Sequence, residues 1–230
     1  MFPWCSKIRD APISSCVESL YLELGLIPIH IIIKARRINY LHYLVNLKED
    51  EMLYKFFEIQ WKYPSKSDWT SQVRTDLKDF KIDENLSKLR EKSKNSFKSL
   101  VKAKMKEFAL NYLLKLKGSH TKMANLVYTN LELRKYLKTG DIPVFEAKNL
   151  FRYRVRTANF KENFKGKYQN TGCPFCFVHL DTQEHAFNCT VMNETLNLKD
   201  LNYRQIFSDK IPRNLSRALA DISSSRENLI

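Results

Sequence analysis

Residues 173–189 read CPFCFVHLDTQEHAFNC, and the spacing of four side chains leaves this segment little conformational choice. Cys173 and Cys176 are separated by two residues, a spacing that turns tightly when both thiolates face one point. His185 and Cys189 are separated by three, which puts them on one face of a helical turn. The pattern is Cys-x2-Cys-x8-His-x3-Cys. Four such ligands suit one tetrahedral Zn²⁺. All four positions are filled by protein, so the expected ion is structural, with no position open for water. His179 is a spare ligand, but it follows the cysteine pair too closely to share a helical turn with Cys189. Two other readings are weaker. Cys173 and Cys176 as a redox pair would want a thioredoxin-like βαβ unit. A zinc deaminase would place His-x-Glu upstream of Pro-Cys-x2-Cys. No His-x-Glu occurs, and Pro174 lies inside the pair. Unconnected core cysteines remain the plain alternative.

Elsewhere the pattern is helical. Only five of the 230 residues are Gly, too few for a sheet-rich fold with many tight turns. Hydrophobic residues make up 43%, enough to build a core. Apolar stripes at helical spacing predict helices over about 14–24, 29–47, 51–62 and 68–80. Gly25, Pro28 and Pro64 punctuate them, and Ser67 or Asp68 caps the last. A long helix is predicted over 93–117, with Phe97, Leu100, Val101, Phe108, Tyr112 and Leu116 on its apolar face. Further helices are expected over 121–138, after Pro143, and at about 203–208 and 212–226. The polar stretch Asn159–Thr171 reads as a linker. The expected fold class is mainly α: a helical bundle-like region, then a small CCHC zinc knuckle and short C-terminal helices. Three segments follow, at 1–85, 86–160 and 161–230. The core around the zinc turn is expected to be separate from that of the long helices.

Charge divides the chain unevenly. The net charge is +14, yet residues 86–170 alone hold 21 basic and 6 acidic side chains. Lys94, Lys98, Lys102 and Lys106 recur every four residues, as do Lys148, Arg152 and Arg156. Like charges at that spacing repel, and the five pairs together cost on the order of 1–2 kcal/mol before screening. Phosphates would neutralise them with release of counterions. The alternative is a solvated face opposite a core stripe. Phe160, Phe164 and Tyr168 could stack on bases. Arg36 and Arg37 with Tyr40, His42 and Tyr43 form a weaker group, more easily read as a basic edge on a structural helix. Asp76, Asp79, Asp83 and Glu84 could hold Mg²⁺, but a solvated surface explains them better. No secretory leader or membrane-length apolar run is visible, and the odd cysteine count favours a reducing compartment, nucleus or cytoplasm.

Taken in order, several segments resemble the region after the polymerase core in non-LTR retrotransposon reverse transcriptases. They are SLYLELGLIPIHIIIKARRINYLHYLVN, KLRE..SFKSLVKAKMKEFALNYL, LFRYRVRTANFKENF and CPFC…DTQEHAFNC. The resemblance runs from about residue 11 to the end, and the cysteine–histidine cluster is its most specific part. It implies a thumb-like helical region followed by a zinc knuckle that helps hold template RNA or target DNA. Only Cys173, Cys176, His185 and Cys189 carry over by motif. The polymerase's Tyr/Phe-x-Asp-Asp turn is absent, as is the Pro-Asp of the nuclease found in some relatives. The expectation is therefore a non-catalytic module for RNA or DNA, with no membrane and no evident small-molecule substrate. A protein–protein module and a truncated mobile-element remnant are the alternatives.

Overall fold

The computed structural model describes residues 17–117, 130–138, 142–164, 168–198, 202–208 and 211–227. Among these, regular structure is helical and no strand occurs; one isolated antiparallel bridge joins Gly172 to Leu180. The α-helices are α1 (Val17–Leu24), α2 (Ile29–Val45), α3 (Met52–Lys62), α4 (Trp69–Asp79), α5 (Leu86–Arg90), α6 (Lys94–Lys117), α7 (Lys135–Lys138), α8 (Val144–Arg154), α9 (Gln183–Asn188), α10 (Thr190–Leu196) and α11 (Arg213–Glu227). Two 3₁₀ turns span Lys161–Phe164 and Tyr203–Phe207. The helix expected over 121–138 falls largely outside the described residues; its last turn is α7. Cys5, Cys16 and His120 also lie outside them.

The helix ends follow the local chemistry. Gly25 closes α1 at φ +64°, and a Cβ there would sit 2.3 Å from the backbone of Glu132, so only glycine fits. Pro28 precedes α2 and Pro143 precedes α8. Asp68 caps α4 by accepting from Ser71 N–H at 2.8 Å.

The compact units do not follow the three sequence segments. One unit is Ile27–Lys115; the other combines Met1–Leu26 with Leu116–Ile230. The long basic helix therefore belongs with α2–α5 and not with the basic residues after it. The cause is aromatic packing: His42 stacks on Phe97 at 4.3 Å, His30 meets Tyr112 edge-on, and Phe80 packs on Phe108.

In the Ile27–Lys115 unit, α2 is the central element. Ile31, Ala35, Ile38, Leu41, Leu44 and Val45 are buried on it, with α4 packed alongside through Val73 and Leu77. Its burial is one broad face, because Ile33, Tyr40 and Tyr43 are exposed. Asp76 is buried between α2 and α4. It accepts from Arg37 at 2.7 and 3.1 Å and pairs with Lys34 at 3.1 Å, while Lys34 also reaches Asp79 at 2.6 Å. Asp76 and Asp79 are thus neither a solvated face nor an open cation site, and Arg37 is a structural cation.

In the other unit, α8 packs on α11. Glu23 on α1 and Arg154 on α8 form an ion pair at 2.7 Å, with side chains 0% and 1% exposed. Tyr136 donates to the other Glu23 oxygen at 2.7 Å, and Arg154 also donates to the carbonyls of Ile206 and Ser208. One guanidinium thus joins α1, α8 and the Tyr203–Phe207 turn. Removing one partner of a buried pair leaves an uncompensated charge, which costs about 3–5 kcal/mol. Glu23→Ala is expected to destabilise this unit by that amount in urea denaturation. Pairing it with Arg154→Met should restore much of the loss, since the charge leaves with its partner.

Candidate metal centre

The cysteine–histidine segment begins with an Asx turn, Asn170 Oδ1 accepting from Gly172 N–H at 2.7 Å. The chain then doubles back. Cys173 N–H donates to His179 O at 2.8 Å, Phe177 N–H donates to Cys173 O at 3.0 Å, and Asp181 N–H donates to Thr171 O at 2.8 Å. Phe177 takes a left-handed φ of 58° at the tip. Thr182 then caps α9 by accepting from His185 N–H at 2.9 Å, which sets the histidine in the first helical turn. Cys189 ends α9 and starts α10.

These turns bring Cys173, Cys176, His185 and Cys189 together, with their ligand atoms all within 4.8 Å of one another. Cys176 Sγ lies 3.3 Å from His185 Nε2. A tetrahedral Zn²⁺ with bonds of about 2.3 Å to sulfur and about 2.0–2.1 Å to nitrogen holds its ligands roughly 3.5–3.8 Å apart. The cluster would close on such an ion by small side-chain shifts. His179 stands beside the group, its ring 5.0 Å from that of His185, and is not one of the four. Cys173 and Cys189 are buried, which shields two of the sulfurs from solvent.

The electrostatics at the cluster pull in different directions. Backbone N–H groups of His179 and Val178 hold the Cys176 thiol below its usual pKa. Burial pushes Cys189 up to about 11. Burial, aided by His179, lowers His185, so its ring is kept neutral and able to ligate. A metal ion would supply the positive charge that lets all three sulfurs ionise together.

The cluster is fastened to its unit rather than hung from it. Asp181 and Arg226 pair at 2.5 Å, each 1% exposed. Asp181 also accepts from Lys161 N–H at 2.9 Å. Arg226 donates to Asn159 O at 3.0 Å and lies 4.2 Å from the centre of the Phe160 ring. Gln183 donates to Tyr153 O at 2.8 Å, and Phe187 packs on Tyr153 and Tyr203. This corrects one expectation. Asn159–Thr171 is not a plain linker: Phe160 is buried in the core, and a 3₁₀ turn follows it. The core around the cluster is shared with α8 and α11, while the long helices α2 and α6 belong to the other unit, as expected. The buried Phe160 is also unavailable for base stacking, while Phe164 and Tyr168 are half-buried.

The two basic ladders fare differently. Lys94, Lys98, Lys102 and Lys106 are all exposed on α6. Lys148 and Arg152 on α8 are half-buried. Arg156 is not on the helix at all; α8 ends at Arg154, and Arg156 takes a left-handed φ of 53°. It pairs with Glu184 on α9 and donates to Tyr203 OH at 3.0 Å. The spacing 148–152–156 therefore does not form one face.

Comparison with protein-family models, curated proteins and solved structures returned no match. No helix among the described residues is long and apolar enough to cross a membrane.

Protein prepared under reducing conditions is expected to contain one zinc per chain by metal analysis. Chelation should speed amide exchange across 159–198 and in the last turn of α11, because Asp181–Arg226 joins them. Exchange in Ile27–Lys115 should stay unchanged. Affinity for zinc should fall as pH drops, since binding displaces thiol protons.

Proposed function

We propose that this chain is a non-catalytic nucleic-acid-binding module. In this reading, zinc held by Cys173, Cys176, His185 and Cys189 fixes the C-terminal unit, and the α6 lysines grip phosphates. Its resemblance is to the region after the polymerase core of non-LTR retrotransposon reverse transcriptases, whose catalytic carboxylate turn this sequence lacks. The observation that carries the reading is the exposure of Lys94, Lys98, Lys102 and Lys106 on a single 24-residue helix. The one acidic residue of that helix, Glu107, pairs with Lys104 and leaves the ladder unneutralised. The aromatic contacts of α6 hold it against that repulsion. Lys148, Arg152 and Arg156 carry a smaller part, because Arg156 is already engaged by Glu184.

A second reading has its own support. Met52, Phe56, Ile59 and Tyr63 form an exposed apolar stripe on and just beyond α3. Such a stripe is a surface for a protein partner.

Salt titration separates the two. Phosphate contacts weaken with salt at about −0.9 per phosphate on duplex DNA and about −0.7 on single strands. Replacing Lys94, Lys98, Lys102 and Lys106 by Gln should lower polynucleotide affinity for all sequences and flatten the slope by up to about 3.6 on duplex DNA and about 2.8 on single strands. The fold should be unharmed, since the substitutions remove repulsion. An unchanged slope would make the lysines a solvated face and leave the protein-partner reading in front.

A further inference from the structure

Between α2 and the start of α6 lies a cleft of about 460 Å³ within the Ile27–Lys115 unit. That is in the roughly 300–1,000 Å³ range of small-ligand sites, with room for a nucleobase and its sugar. Three kinds of group line it. Tyr43 supplies an aromatic face, 52% exposed, and stacks on Tyr40 at 5.8 Å with 22° between the rings. Lys92, Lys94 and Lys98 supply charge. Asn39 and Asn46 supply amides. Asn46 donates to His42 O at 2.8 Å, which leaves its Oδ1 to accept from a base edge.

The cleft is rigidly built. His42 forms its floor, stacked on Phe97 and bonded through Nε2 to Lys92 O at 3.0 Å. A carbonyl only accepts, so Nε2 carries the proton. This bond pins the turn before α6 to α2 and sets Lys94 and Lys98 opposite Tyr43. Arg90 also lines the cleft but reaches Glu49 at 3.3 Å; Glu91 is the one acidic side chain lining it. The balance at the cleft is strongly positive.

We propose that this cleft binds a single strand of nucleic acid, one base lying on Tyr43 and the adjoining phosphates on Lys94 and Lys98. The proposal rests on the nucleic-acid reading above and narrows it to an unpaired strand. Bases within a duplex are stacked on each other and cannot lie on a tyrosine, whereas an unpaired base can. Tyr40 extends the aromatic surface, since it stacks on Tyr43 and meets Trp69 edge-on at 5.5 Å.

The test uses the zinc-loaded full chain and fluorescence anisotropy. The probes are short uridine and thymidine oligonucleotides and a duplex of equal length, each at two salt concentrations. Tyr43→Ala should weaken single-strand binding on the order of tenfold. Duplex binding and the salt slope should not change. Tyr43→Phe keeps the ring and should bind like the parent. Tyr43 is exposed, so both variants should keep the parent's circular dichroism. Equal single-strand affinity for Tyr43→Ala and the parent would overturn this proposal alone. So would an equal loss on the duplex. A parent chain that binds no polynucleotide would overturn both this and the function it rests on.

Discussion

The Asp181–Arg226 pair is the contact on which the C-terminal unit turns. Burying two charges costs several kcal/mol per ion unless each finds close, well-directed partners. Here each does. The carboxylate takes the guanidinium and the Lys161 N–H; the guanidinium takes Asn159 O and the face of Phe160. The pair forms properly only when the loop before α9, the 161–164 turn and the end of α11 are all in place. It therefore selects one arrangement of three distant segments. His185, the third of the four clustered side chains in chain order, lies four residues after this carboxylate, so the same arrangement sets the histidine.

Much of this fold could be read from spacing. Helices α1 to α4, α6, α8 and α11 end within a few residues of where their stripes, prolines and glycines place them. The four ligands could also be read, because a Cys-x2-Cys turn and a His-x3-Cys turn are local devices. Long-range pairing could not. Glu23 and Arg154 are 131 residues apart, and nothing in either neighbourhood marks them as partners. Arg156 misleads in a similar way. Its spacing from Arg152 suits a helix, but the left-handed residue that ends α8 is Arg156 itself. The polar look of Asn159–Thr171 hides Phe160, whose burial is decided by an arginine from the other end of the unit. The cleft beside Tyr43 could not be read for a related reason: its two walls are separated by about fifty residues of sequence and are joined by long-range bonds, His42 to Lys92 O and Arg90 to Val45 O.

The basic helix shows how repulsion is tolerated. Its lysines recur at the spacing that places them in sequence along the surface, each step rising about 6 Å. Alone, such a helix would be weakened by its own charge. Its other side carries Phe97, Val101, Ala109 and Leu113, all buried. Burying side chains of this kind stabilises by about 1.5–3 kcal/mol for each large one, which exceeds the repulsion. Charge on one face is thus permitted by packing on the other.

Helix α1 belongs to a unit whose remaining residues lie beyond the whole of Ile27–Lys115. The chain is therefore a discontinuous unit with a continuous one inserted in it. During synthesis the inserted unit is complete while Glu23 still awaits Arg154. Domains emerging in order tend to fold as units. The second unit to begin is the first to finish, and the first must hold an apolar helix open until its far half arrives. Closure of this unit onto α1 then comes after the inserted unit is complete.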